Sequence, residues 1–284
     1  MPTASHIKKN MRQQSTAIIQ PHKRLSLSDF SELWQYRDLL WTLSIRDVQI
    51  RYKQTLLGAS WAIIQPLATS GVATIVFGKI LGLANGSLTS YFLEVYPAMI
   101  LWTLFAAIIN AASGSLINNA GMLSKVYFPR LVFPISAVFS PLLDSIIASL
   151  VLIGFMLIKG HQITASFILL PILLTITILI ALGIGILLAA LTAVYRDFKI
   201  IIPFMMQLLF FLTPILYKLE LSDNWLKAIS LNPMYGIITN LKNIFSNQSL
   251  QLSSLSISCI IAAICIYISV LIFSKIERKF ADII

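Results

Sequence analysis

The sequence predicts an all-α polytopic membrane protein with six transmembrane helices and an N-terminal amphipathic interface helix. Three observations carry this prediction. Only 11% of the 284 residues are charged while 57% are hydrophobic, and mean hydropathy is +0.85. All eight arginines stand outside the long apolar runs. The runs match the roughly 20 residues of helix needed to cross about 30 Å of hydrocarbon, a length and polarity that soluble domains do not use.

Taken in order, residues 1–28 are rich in Lys, Gln and Ser and read as a flexible cytoplasmic tail. No apolar stretch follows Met1, so a cleaved signal peptide is not expected. Residues 29–55 form the interface helix. Asp29 caps it with Glu32 three residues on, and Phe30, Leu33, Trp34, Leu40, Trp41 and Val48 recur at helical spacing against Arg37, Asp38, Arg46, Asp47, Arg51 and Lys53. A helix with two tryptophans and several arginines just before a span belongs in the headgroup plane. Residues 56–284 make the transmembrane domain, with spans at about 56–83, 97–116, 132–158, 167–194, 200–216 and 252–273.

Charge sets the orientation. Lys8, Lys9, Arg12, Lys23, Arg24, Arg37, Arg46, Arg51, Lys53, Lys125, Arg130, Arg196, Lys199, Lys275, Arg278 and Lys279 fall on one side, sixteen of the 21 basic residues. By the positive-inside rule that side is cytoplasmic and holds both termini. Lys79, Lys159, Lys218, Lys227 and Lys242 lie in or near the opposite loops. The net charge of +10 then reads as topogenic charge beside anionic headgroups and not as a nucleic-acid surface.

Catalytic chemistry is not indicated. The chain has no G-x-x-x-x-G-K-[ST], no G-x-G-x-x-G and no H-E-x-x-H, and His6, His22 and His161 are scattered. Cys259 and Cys265 share the last span and cannot bridge each other. Gly183-Ile184-Gly185 suits close helix packing. Neither a metal nor a cofactor site is expected. One acid, Asp144, sits within an apolar run. Ionised there, it costs at least ~3 kcal/mol unless it faces protein or water, so it should face inward in a structural role, bonded to hydroxyls or backbone.

Between residues 217 and 251 the apolar pieces around Trp225 and Tyr235 are each too short to cross, and Asn232-Pro233 separates them. They fit either a re-entrant hairpin or a surface loop with two interfacial helices.

Four stretches, in order, carry a family resemblance. They are Arg46-Asp47-Val48-Gln49-Ile50-Arg51-Tyr52-Lys53-Gln54-Thr55-Leu56-Leu57-Gly58-Ala59-Ser60-Trp61 with Gln65-Pro66; Lys125-Val126-Tyr127-Phe128-Pro129-Arg130 with Pro134; Tyr195-Arg196-Asp197-Phe198; and Thr213-Pro214-Ile215-Leu216-Tyr217 followed by Asn232-Pro233-Met234. From about Asp29 onward the chain resembles the permease subunits of bacterial polysaccharide-export ATP-binding-cassette transporters. The resemblance implies a homodimer around a continuous channel in the bacterial inner membrane. Two copies of a cytoplasmic ATPase subunit would supply ATP and Mg chemistry, and the cargo would be a lipid-linked glycan of the O-antigen, capsule or teichoic acid class. It also implies that the 119–130 loop couples to the ATPase through Lys125, Tyr127, Phe128 and Arg130, aided by Arg46 and Arg51. The outer gate would then be residues 217–251, with Trp225, Asn232, Pro233, Tyr235 and Asn240, which favours the re-entrant reading.

A sugar polymer needs a wet path whose walls grip weakly, and aromatic rings offer such stacking. Trp61, Phe77, Trp102, Phe105, Phe204, Phe210, Phe211 and Tyr217 are the candidates, part of which belong to the interfacial belt instead. An ion-coupled carrier or channel is the alternative from another class, disfavoured by the lack of an internal repeat and by a single deep acid. A membrane enzyme acting on lipid-linked sugar lacks paired acids.

Overall fold

A computed structural model describes residues 33–53, 58–84, 87–123, 128–160, 164–217 and 228–277. Among them every regular element is helical and none is a strand. Helix α1 (Arg37–Lys53) carries Asp38 in its first turn and Arg51 and Lys53 in its last, an arrangement that suits the helix dipole. A short 3-10 turn then leads into α2 (Trp61–Ala73), which holds Pro66 and continues as a π-helical stretch, Thr74–Ile80. α3 (Leu88–Asn118) starts at Ser87, whose side chain accepts from the Ser90 amide. After α4 (Ala120–Leu123) and α5 (Val132–Ser136), α6 (Phe139–Lys159) stops at Gly160 in the left-handed conformation. α7 (Leu170–Val194) begins with Pro171 in its first turn, where a missing N–H does no harm. α8 (Phe198–Leu212), α9 (Tyr235–Phe245) and α10 (Leu252–Glu277) complete the described chain.

α3 is the centre of the bundle, packed against α7, α6 and α2 and touched by α8 and α9, while α10 lies along α7. α1 rests on α5 and α6. Tyr96, Phe105, Ile108, Ile109 and Leu116 of α3 are fully buried. The two glycines of α7 explain how three helices approach so closely. A Cβ on Gly185 would stand 2.7 Å from the Ala112 Cβ of α3, and one on Gly183 would stand 3.0 Å from the Ile266 amide of α10. Two residues apart on a helix is about 200°, so the glycines serve neighbours on opposite sides.

Among the described residues, five helical stretches are long and apolar enough to cross a membrane: Gly58–Ile80, Leu88–Asn118, Val132–Lys159, Ala165–Val194 and Leu252–Glu277. The expected span at 200–216 is a shorter apolar helix, Phe198–Leu212. Its 15 residues rise about 22 Å, less than the hydrocarbon thickness, and irregular chain follows. The second span is longer than its apolar core: Pro97 lies inside α3, which starts at Leu88 and so brings Glu94 into the helix. α1 differs from the expected amphipathic pattern as well. Over Arg37–Lys53 apolar and charged residues show little segregation: Leu43 and Ser44 face the bundle, Trp41 is exposed on one side with its ring edge-on to Phe139 of α6, and Ile50 is exposed. The expected Asp29–Glu32 cap and the 1–28 tail lie outside the described residues.

Gly185→Ala should destabilise the purified protein by about 1–3 kcal/mol through overpacking against Ala112. Gly154→Ala, with nothing within 4 Å of its added Cβ, should be neutral or mildly stabilising because alanine favours helix. Thermal unfolding in detergent checks the pair. Equal melting temperatures would mean that α3 and α7 are not held at glycine distance.

Candidate functional site

Three polar joints sit on this bundle, and the sequence-predicted residues distribute among them. The first joins α1 to α6. Asp144 accepts a hydrogen bond from the Tyr52 hydroxyl and pairs with the Arg51 guanidinium, and its carboxylate is largely shielded. Burial, and then the bond to Asp144, pushes the Tyr52 hydroxyl up to about 12. It therefore stays a neutral donor across physiological pH. Beside this joint a cavity of about 290 Å³ opens between α1, α2, α3 and α6, lined by Arg51, Tyr52, Trp61, Gln65, Thr103, Asp144 and Ser145 among others. Pro66, also in the lining, has no N–H to give the Ala62 carbonyl one turn back, which leaves an acceptor at the wall. A flat aromatic ring, an amide, hydroxyls and a mutually neutralised Arg–Asp pair suit a neutral polyhydroxylated ligand better than a bare anion.

The second joint is at the end of the bundle that carries Arg37 and Glu277. Arg46 donates through Nη2 to Asn119 Oδ1 at 2.8 Å and pairs with Asp47, which fastens α1 to the end of α3. Arg130 donates from Nη1 to the Glu277 carbonyl at 2.7 Å. That bond ties the start of α5 to α10. Phe128 is buried against Phe133. Lys125 and Tyr127, both expected to meet a partner, lie outside the described residues.

The third joint is at the opposite end. Asn232 Oδ1 accepts from the Met234 amide at 3.0 Å, while its Nδ2 donates to Thr213 Oγ1 at 2.9 Å. Pro233 and Tyr235 are half-buried. Asn240 is buried: its Nδ2 donates to the Gly236 and Gln251 carbonyls at 2.7 and 3.1 Å, and its Oδ1 accepts from the Gln251 amide at 2.8 Å. Trp225 lies outside the described residues. α9 is buried along most of its length and packs on α10 and α3.

The aromatic candidates separate by burial. Trp102 and Phe105 are interior, packed on each other, with Trp102 also edge-on to Phe210. Trp61, Phe204 and Phe211 are exposed on the chain, and Phe77, Phe210 and Tyr217 are half-buried. The Tyr217 hydroxyl donates to the Phe211 carbonyl at 2.6 Å.

Sequence reasoning missed four participants: Tyr52, Tyr91, Glu94 and Lys242. Tyr91 donates from its hydroxyl to the Leu216 carbonyl. Glu94 accepts from Ser246 Oγ at 2.7 Å. Lys242 is buried and donates to the Pro214 and Tyr217 carbonyls. A lysine inside the apolar run of α9 was a readable signal for the last of these, because an ammonium among apolar neighbours needs acceptors. Among the described residues no group of acids, histidines and cysteines could hold a metal ion.

Comparison with known proteins adds a family. A model described as ABC-2 type transporter matches residues 38–246. The O-antigen export system permease protein RfbA of Klebsiella pneumoniae is 28% identical over 249 residues, covering 87% of this chain and 95% of the relative. The protein of the same name from Myxococcus xanthus is 25% identical, covering 88% of this chain and 97% of the relative. The polysialic acid transport protein KpsM of Escherichia coli is 24% identical over 69% of this chain and 76% of its own length.

Arg51→Met, Asp144→Asn and the double variant form a mutant cycle on the first joint. The coupling energy between the two sites should be about 0.5–3 kcal/mol in unfolding measurements, and a coupling of zero would mean the pair does not tie α1 to α6. The Tyr52 contribution has its own pH signature. With its hydroxyl raised from 10.0 to about 12, the stabilisation removed by Tyr52→Phe should be constant below pH 10 and vanish as pH rises toward 12.

Proposed function

The chain belongs to the ABC-2 type transporter family, and from that premise we propose that it is the channel-forming permease of a polysaccharide exporter, with O-antigen as the favoured cargo. It is a multi-pass membrane protein and the membrane subunit of a transporter, not an enzyme. The observation that carries the cargo reading is the near end-to-end match to permeases named for O-antigen export. The weaker match to a polysialic acid transporter keeps capsule in the same class.

In this reading two copies meet around the path, and two copies of a separate ATPase dock at the end carrying Arg130. ATP and Mg belong to that subunit. α1 lies in the headgroup plane of the inner membrane, both termini are cytoplasmic, and α8 with its irregular extension serves as the sixth crossing. Trp61 and Gln65 beside Asp144 offer a sugar-compatible surface at the entrance, and exposed Phe204 and Phe211 offer weak stacking farther along. Residues 217–251 close the outer end.

Disrupting the gene in its host should abolish the surface glycan and leave lipid-linked glycan inside the cell. The tagged chain should co-purify with a nucleotide-binding subunit, and Lys125→Glu with Arg130→Glu should abolish export while membrane insertion persists. Normal surface glycan after disruption would remove the cargo reading. Orientation is checked by cysteines in a background lacking Cys259 and Cys265. Cysteine at Ser87 or Gln248, both exposed, should react with a membrane-impermeant thiol reagent from outside, and cysteine at Ser274 should not. Reversed labelling would overturn the charge-based topology.

A further inference from the structure

α8 ends in a stretch of irregular backbone that other elements hold in place. Past its last helical residue, Leu212, the segment 213–217 has carbonyls with no partner in a continuing helix. At membrane depth such groups must be matched by protein or water. Lys242 Nζ donates to the Pro214 carbonyl at 2.6 Å and to the Tyr217 carbonyl at 3.1 Å, and the residue is only 8% exposed. A cation at a helix C-terminus also meets the negative end of the helix dipole. Tyr91 and Asn232 hold the same segment at Leu216 and Thr213.

The other side of α9 is equally fixed. Gly236 lies so close to α10 that an added Cβ would fall 2.2 Å from the Ser254 carbonyl oxygen. Asn240 bonds the Gln251 backbone on the approach to α10, and Ser246 bonds Glu94 of α3. α9 therefore bridges three long helices and has little freedom to swing alone.

We propose that Lys242 is a positioning residue: by holding the Pro214 and Tyr217 carbonyls it fixes the outer end of α8 to α9. α9 is then a strut and not a flap, and the outer end opens by moving α8, α9 and the start of α10 together. The inference rests on the channel reading, since the position of α8 sets the width of the path only if α8 lines one.

The test uses the full chain assembled with its ATPase in proteoliposomes of bacterial polar lipid loaded with the trisaccharide raffinose. Raffinose release without ATP is compared for wild type, Lys242→Met and Lys242→Arg. Lys242→Met should co-elute with the ATPase as wild type does yet leak raffinose several-fold faster, while Lys242→Arg, which keeps a cationic donor, should stay tight. A tight, assembled Lys242→Met, or equal leak from both variants, overturns the proposal. Should Lys242→Met not assemble, Asn232→Ala removes another tie to the same segment; leak then supports the proposal and tightness overturns it. A disulfide between Asn240→Cys and Ser254→Cys, whose native side chains are 3.3 Å apart, exchanges the Asn240 tie for a covalent one, and the oxidised protein should retain raffinose and keep ATP-driven export. Export blocked only on oxidation would make α9 a flap. Because the leak needs neither ATP nor glycan, it stands apart from failure of the exporter reading, which would appear as no ATP-driven export by wild type.

Discussion

An ionisable side chain withdrawn from water must be matched by protein, and in this chain that constraint decides where distant elements meet. Asp144 on α6 is held by Arg51 and Tyr52 at the end of α1. Lys242 on α9 is held by backbone carbonyls beyond α8, and Glu94 on α3 receives Ser246 beyond α9. Each joint links segments far apart in sequence. Apolar packing between helices in lipid has no comparable direction, because lipid tails are as apolar as leucine. The polar joints supply register, and glycine contacts such as Gly185 against Ala112 supply closeness.

The two ends of the bundle are built differently. At the end carrying Arg37 and Glu277, long flexible side chains make the ties: Arg46 to Asn119 and Arg130 to the Glu277 carbonyl. Half-exposed arginines of this kind re-form at modest energetic cost, which suits a surface where a partner docks and pulls. The opposite end is tied by buried Asn240 and Lys242, whose rupture would strand polar groups away from water. Movement introduced at the first end would thus travel along whole helices to the second. The Arg51–Tyr52–Asp144 joint is where α1 is tied to α6.

Much of the fold was legible in the sequence, because run length and charge placement answer to the bilayer. The Gly183-Ile184-Gly185 reading as close packing follows from residue size alone, and the structure places both glycines against neighbouring helices. Boundaries fared less well. α3 begins before its apolar core because Ser87 caps it and Glu94 finds a partner, and neither effect appears in a hydropathy run. The site was legible only in part. Asp144 announced itself as an acid in an apolar run, but its partners Arg51 and Tyr52 are more than ninety residues away and no local pattern names them. Trp102 and Phe105 illustrate the opposite problem: an aromatic in a span reads the same whether it faces a path, lipid or, as here, the interior of its own chain.

In the exporter reading this chain forms an ATP-driven path for a glycan. The most direct measurement is transport by the purified chain with its ATPase in sealed proteoliposomes containing the host's lipid-linked glycan, scored by glycan protected inside the lumen. Protection that requires ATP and disappears when the ATPase subunit is omitted is the predicted result. Glycan movement that proceeds without the ATPase, driven by an ion gradient instead, would contradict it.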